Sequence, residues 1–251
     1  MPVQAVTDHV AVLSQDAPRF ASLRHSHSQA QLIYAISGVV SVTTADGTWV
    51  VPPSRAVWVP AGIEHDTRSH SAVQFRALLV ESSEAKGLPV VCTAIEVTPL
   101  LRELILRLAV IADAPGRKEF RCAVTQLLLL ELARLPVEPL SLPTPSHAQL
   151  ARFCDQIRGE PARSIALVDA ARALHMSRAS LMRLFQRETG MSFLRWRQQA
   201  RLLHALSLLA EGQSVLNVAL ACGYDSPSAF SAMFRRSLGR SPSAYFAPAR
   251  R

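Results

Sequence analysis

Two stretches of the C-terminal half repeat each other. Ser177–Gly190 reads SRASLMRLFQRETG, and Ser226–Gly239 reads SPSAFSAMFRRSLG. The shared frame is Ser177/Ser226, Leu181/Phe230, Phe185/Phe234 and Gly190/Gly239. A short apolar run precedes each copy, IALVDAARAL before the first and VLNVALAC before the second. The turns between are HM and GYD. Helix, short turn, helix, written twice, predicts two helix-turn-helix units, a motif whose second helix enters a DNA major groove.

Each second helix buries its apolar stripe: Leu181, Leu184 and Phe185 in one, Phe230, Met233 and Phe234 in the other. Ala171 and Ala219 are small enough to let the paired helices approach closely. The outward face of the first copy then carries Arg178, Ala179, Met182, Arg183 and Gln186. Between the copies lies SFLRWRQQARLLHALSLLAEG, Ser192–Gly212, rich in helix formers and closed by glycine. It reads as one long helix. About 20 residues span about 30 Å, near the roughly 34 Å between successive major grooves on one DNA face.

Charge follows the same division. Residues 144–251 hold 15 Arg, no Lys and 6 Asp+Glu, while residues 1–143 hold 12 Lys+Arg against 13 Asp+Glu. One basic half beside a neutral half predicts that one domain meets a polyanion and the other does something else. A hydrophobic share of 49% is enough for packed cores and too high for disorder. The longest apolar runs, Leu100–Ala112 and Leu127–Leu135, are cut by Arg102, Glu103, Arg107 and Glu131, so no membrane span is expected. MPVQAVTDHV lacks the pattern of a signal peptide, and the expected location is the cytoplasm. Cys92, Cys122, Cys154 and Cys222 lie far apart without any CxxC, which predicts reduced thiols.

Residues 9–80 read as strands. LIYAISG, VVSVTTA, TWVVPP and AVWVPAG are punctuated by Gly and Pro, and Asp46–Gly47 suits a tight hairpin turn. Many short strands predict a small barrel or sandwich. From about Thr98 the period becomes helical, in PLLRELILRLAVIA and EFRCAVTQLLLLELARL, joined by a turn at DAPGRK. Leu101, Leu104, Ile105 and Leu108, with Leu127, Leu128 and Leu132, are the expected dimer face of these helices; covering the barrel is the other use open to them. PVEPLSLPTPS, with four prolines, reads as an extended linker. The expected organisation is a sensor barrel over 1–97, a helical segment over 98–135, a linker over 136–145 and a DNA-binding domain over 146–251. The fold class is α+β, an N-terminal cupin-like β-barrel with a helical hairpin followed by an all-α domain.

ALACGYDSPSAFSAMFRRSLGRSPSAYF, Ala219–Phe246, resembles the signature of the AraC/XylS family of bacterial transcription regulators. The frame GY-x-S…F…F-x-x-x-x-G-x-S-P carries the resemblance, which covers Ser146–Phe246. It implies two helix-turn-helix units reading adjacent major grooves of double-stranded DNA. By position, Ala179, Met182 and Arg183 would meet base edges, and Arg183 could bond guanine O6 and N7 together. Ser177, Arg178 and Arg187 would touch phosphates. In the second copy Ser226 is a DNA-contact position, Ser228, Ser231 and Ala232 take the base-facing positions, and Arg235 and Arg236 face phosphates. Such short side chains depart from the usual longer polar ones, so the second unit is expected to position more than it specifies.

The neutral half resembles the cupin pattern. His25-x-His27 is followed by Gln31, Gly38 and Pro60-x-Gly62-x-x-His65. Two histidines two apart on one strand face the same side. His25, His27 and His65 together could hold Zn²⁺, Fe²⁺, Ni²⁺ or Mn²⁺. Gln31 stands where the pattern has a carboxylate, and sensors of this type also bind small molecules without metal. Tyr34, Arg55, Trp49 and Trp58 are further candidates to line the cavity, with Trp58 equally suited to the core. His9 and His70 read as solvated loop residues. The resemblance implies a regulator, activator or repressor, controlled by a small effector or metal, acting as a homodimer and meeting RNA polymerase if it activates. The other reading is a metal-dependent cupin enzyme with an accessory DNA-binding tail; the missing carboxylate argues against it.

Overall fold

A computed structural model describes residues 10–69, 71–111, 118–134, 137–138 and 141–246. His9, His70 and most of the DAPGRK turn lie outside the described residues. The chain divides into two compact units, Met1–Thr44 with Val51–Ser141, and Ala45–Val50 with Leu142–Arg251.

The first part of the chain forms β1 (Val10–Ala17), β2 (Ala30–Ser37), β3 (Val40–Thr44), β4 (Gly47–Val51), β5 (Arg55–Val59), β6 (His65–Ser69), β7 (Val73–Val80) and β8 (Thr93–Glu96). Then come α1 (Pro99–Ile111), α2 (Lys118–Leu132), β9 (Val137–Glu138) and β10 (Ser141–Pro143). One sheet has the order β1-β7-β2-β5-β8-β9, and β3 pairs with β6 in a second. The pairings β1–β7, β2–β7, β2–β5, β5–β8, β8–β9 and β3–β6 are antiparallel, with β2 between β7 and β5. The segment expected as a free linker therefore contributes two short strands. Extended proline-rich backbone still offers the carbonyls that a strand needs.

β6 alternates: His65, Thr67 and Ser69 are buried, while Arg68 is exposed. β2 and β5 do not alternate, being buried along almost their whole lengths. A strand without alternation is covered on both faces. The cover is the helical pair. Leu101, Leu104, Ile105, Leu108 and Ile111 of α1 and Val124, Leu128 and Leu132 of α2 form one cluster with Leu32, Tyr34, Trp58, Leu78 and Val80.

This corrects the expected dimer face. Six of the seven leucine and isoleucine positions named for it are buried within the chain's own core. The stripe that the helical period selects is the inward one. Of that set only Leu127 faces outward, 45% exposed, alongside Phe120 and Leu130.

From Ala148 onward the second unit is helical: α3 (Ala148–Gly159), α4 (Leu167–Ala173), α5 (Arg178–Thr189), α6 (Phe193–Ala210), α7 (Val215–Ala221), α8 (Pro227–Leu238) and α9 (Pro242–Tyr245). The outer members of the repeat frame turn out to be helix caps. The Ser177 and Ser226 hydroxyls accept from the Ser180 and Ala229 amides, each at 3.1 Å, at the starts of α5 and α8. Gly190 and Gly239 close the same helices in the left-handed conformation, with φ 68° and 76°. The inner members, Leu181, Phe185, Phe230 and Phe234, are fully buried. Ser192, Ser214 and Ser241 cap α6, α7 and α9 in the same way. At 18 residues α6 is about 27 Å long.

Candidate functional site

His25 and His65 exchange backbone hydrogen bonds at 3.0 and 2.8 Å, an isolated bridge that brings the segment before β2 against β6. Gly62 N donates to His27 O at 2.9 Å and fixes the turn before β6. Gln31 sits on β2, in the other sheet. The histidine ring nitrogens of His25, His27 and His65 that could ligate all lie within 4.8 Å of one another. His65 is fully buried, His27 half-buried and His25 exposed, so the cluster runs from the interior to solvent. Burial pushes the His65 imidazole below the ordinary histidine value.

The ring orientations are fixed from outside. His25 Nδ1 donates to Leu23 O at 2.8 Å, His27 Nδ1 to Gln29 O at 2.6 Å and His65 Nδ1 to Ile63 O at 2.9 Å. A carbonyl only accepts, so each Nδ1 carries a proton, which leaves Nε2 as the ring atom able to ligate. This outer-shell arrangement orients metal-binding histidines. Gln31 Oε1 lies 3.2 Å from His27 Nε2 and 3.0 Å from His65 Nε2, acceptor against acceptor. A second proton on an imidazole would turn the contact into an Nε2–H···Oε1 hydrogen bond, and two further arrangements relieve it. A cation can share the lone pairs, or a half-turn of the amide can aim its NH2 at both rings. The donor set fits a divalent cation of the borderline class: three imidazole nitrogens and one neutral oxygen.

The structure thus brings together His25, His27, Gln31 and His65. It does not bring Tyr34 or Arg55 to them. Gln31 pairs with Val59 and Tyr34 with Ala56, and an odd spacing puts Tyr34 on the opposite face of β2, under α1 and α2. Trp58 shares that outer face, and its indole donates to Pro89 O at 2.8 Å. Trp49 is buried on β4. Arg55 shares the inner face but lies four residues along β5 from Val59, about 13 Å away. There it bonds Ser54 O at 2.9 Å and approaches Glu96 at 3.8 Å.

The second site is the exposed faces of α5 and α8. Arg178, Ala179, Met182, Arg183, Gln186 and Arg187 are exposed on α5. On α8 Ser228, Ala232, Arg235 and Arg236 are exposed and Ser231 is partly so. Ser177 and Ser226 are committed to capping, which leaves phosphate contact a secondary use of either hydroxyl.

Sequence reasoning missed three polar anchors. Glu188 Oε2 accepts from Ser146 Oγ, Ser146 N and His147 N at 2.5, 3.1 and 3.1 Å, pinning the start of α3 to α5. Arg197 donates to Ile165 O at 2.6 Å and Arg201 to Pro161 O at 2.9 Å. These two arginines of α6 tie down the chain before α4 and count toward the basic half without facing outward in full. Their partners stand 32 and 40 residues away, so no local pattern marks them.

The AraC-like ligand binding domain family matches residues 9–132, and a helix-turn-helix domain family matches residues 170–247. The HTH-type transcriptional regulator NimR of Escherichia coli is 37% identical over 223 residues, covering 89% of this chain and 81% of NimR. The chain belongs to the AraC family of transcription regulators. The HTH-type transcriptional activator RhaR of Pectobacterium atrosepticum is 32% identical over 127 residues, 49% of this chain and 45% of RhaR. Among solved structures, the DNA-binding domain of AdpA in complex with a target DNA is 36% identical, covering 39% of this chain and 89% of that one, with a TM-score of 0.37. This AraC-family chain is a regulator and not an enzyme, which settles the choice left open by the sequence. No helix among the described residues is long and apolar enough to cross a membrane.

Proposed function

We propose that this AraC-family regulator binds promoter DNA through α5 and α8, and that occupancy of the histidine cluster sets how it binds. The observation that carries the reading is the cluster of His25, His27 and His65, with candidate ligand nitrogens within 4.8 Å of one another and Gln31 Oε1 at 3.2 and 3.0 Å from the Nε2 atoms of His27 and His65. His25, His27, His65 and Gln31 would hold a divalent cation. A cation there would add bonds between β2, β6 and the segment before β2. An occupant alters DNA binding only by favouring one arrangement over another, and its differential affinity sets the size of the response.

The regulator works in the cytoplasm as a homodimer, in this reading. The dimer forms through the outward face of α2, where Phe120, Leu127 and Leu130 recur at helical spacing with exposures of 45%, 45% and 61%. Contact with RNA polymerase follows if it activates.

The test is capture of sheared genomic DNA from the source organism by the purified protein at physiological salt, with and without added Zn²⁺. The expected result is a few sharp sites whose occupancy changes with metal. Uniform, salt-sensitive retention under both conditions overturns specific recognition. Sharp sites indifferent to metal leave the DNA reading standing and remove metal control.

A further inference from the structure

We propose that the site between the two sheets recognises a small carboxylate, bound as the remaining ligand of a divalent cation on His25, His27, His65 and Gln31. The inference rests on the metal reading above and adds to it the chemical class of the effector.

The argument is one of charge. All four donors are neutral, three imidazole nitrogens and an amide oxygen. None reduces the two positive charges of a bound cation. His65 is fully buried and Gln31 is 6% exposed, so half the donor set stands away from water. An uncompensated charge in such surroundings is costly. A carboxylate in place of Gln31 would offset half of it; the amide offsets none.

The neighbouring acids are engaged elsewhere. Glu64 pairs with Arg24 at 2.8 Å. Glu81 accepts from Gln29 Nε2 at 3.1 Å. Asp66 follows His65 along β6, and strand alternation turns it to the other face. Among the described residues, the metal-competent cluster contains histidines alone. No acid among the described residues joins the cluster, and an anion from solution is the compensating charge that the proposal assigns. Access exists, because His25 is exposed and the cluster opens to solvent on its side. A small carboxylate can reach that side and supply the charge that the protein withholds. The amide also suits a reversible site. With no cation present, its NH2 can serve both His27 and His65.

Co²⁺ is the probe, because its visible absorption reports coordination number and ligand exchange. The full-length protein is titrated with Co²⁺. The loaded protein is then titrated with acetate, benzoate and inorganic phosphate at constant ionic strength held by perchlorate. A saturable spectral change with acetate or benzoate supports the inference. A response to phosphate alone overturns the carboxylate class. Tight Co²⁺ binding with a spectrum that no anion moves, or that moves only with pH through bound water, overturns the inference and leaves the metal reading intact. Failure to bind Co²⁺ removes both. Gln31→Glu gives the site a charge of its own. It is expected to bind Co²⁺ more tightly and acetate about tenfold or more weakly. Unchanged acetate affinity in that variant would count against charge as the cause.

Discussion

The Nε2 atom of His65 lies 3.0 Å from the Oε1 atom of Gln31, across the space between two sheets. His65 is held by its backbone bridge to His25, and Gln31 by the register of β2 with β5. The contact joins two elements 34 residues apart and gives the barrel a polar centre. A ligand that binds only the folded state stabilises it, by about 2.7 kcal/mol at 100 times its dissociation constant. Zinc at that excess is expected to raise the melting temperature of the wild-type protein and to leave His65→Ala unmoved. Calorimetry with and without zinc checks this. Equal shifts in both proteins would place the metal elsewhere.

The outward face of α2 makes a second prediction. Leu127 and Leu130 are exposed, whereas Leu128 and Leu132 support the chain's own core. Leu127→Glu with Leu130→Glu is expected to leave the fold intact and give a monomer in sedimentation experiments. Leu128→Ala is expected to act differently, costing about 2–5 kcal/mol of stability by cavity formation. A dimer that survives the double substitution would move the interface off α2.

Much of this was legible because periodicity and caps are local. The repeat frame pairs cap residues with core residues, so Ser177, Leu181, Phe185 and Gly190 could be read without a fold. The histidine cluster was legible because its spacing is that of a known pattern. Tyr34 was misplaced although the sequence held the signal: it stands three residues from Gln31, and an odd interval on a strand reverses the face. The leucines of α1 and α2 were ambiguous for a physical reason. An apolar stripe at helical spacing demands burial but does not say against what. Glu188, Arg197 and Arg201 were invisible because each bonds backbone groups far away in sequence.

The turns of the two helix-turn-helix units share one left-handed backbone position but fill it with different residues. Gly223 and His175 each follow the C-cap of a first helix, with φ 74° and 52°. A Cβ on Gly223 would fall 2.6 Å from Ala162 O. Gly223→Ala therefore combines a backbone clash with a left-handed conformation, and should cost about 2 kcal/mol or more. His175 already bears the conformational cost, so His175→Gly should stabilise by about 0.5–1 kcal/mol once glycine's greater chain entropy is counted. Urea denaturation of both variants checks the pair. A destabilised His175→Gly would mean that the imidazole makes a contact worth more than the strain.

Glu188 gives the second unit a dependence on pH. The Ser146 hydroxyl bond, followed by the His147 amide, lowers its carboxyl below the ordinary glutamate value. A depressed acid stabilises the fold above its unfolded pKa, and that contribution fades as pH falls through the folded one. The wild type is therefore expected to lose melting temperature faster than Glu188→Gln on acidification below the usual glutamate range. At neutral pH the variant should be the less stable of the two. Parallel slopes across that range would show that the carboxylate charge contributes nothing at α3.

The two recognition helices should fail in different ways. On α5, Arg183 is exposed at the position proposed to face bases, with its guanidinium only loosely held, 3.5 Å from Ser180 Oγ. It is free to bond guanine O6 and N7 at the cost of a weak local contact. Arg183→Ala should weaken operator binding by about 1–3 kcal/mol and relax base preference at one or two positions. On α8, Ser228, Ser231 and Ala232 are too short to read bases with two hydrogen bonds, and Arg235 and Arg236 lie in the last turn. Arg235→Ala should weaken binding almost equally across sequences and reduce the salt slope by about 1. Selection from a randomised operator library, repeated at two salt concentrations, separates the two effects. A shift in base preference from Arg235→Ala, with none from Arg183→Ala, would exchange the roles of α5 and α8.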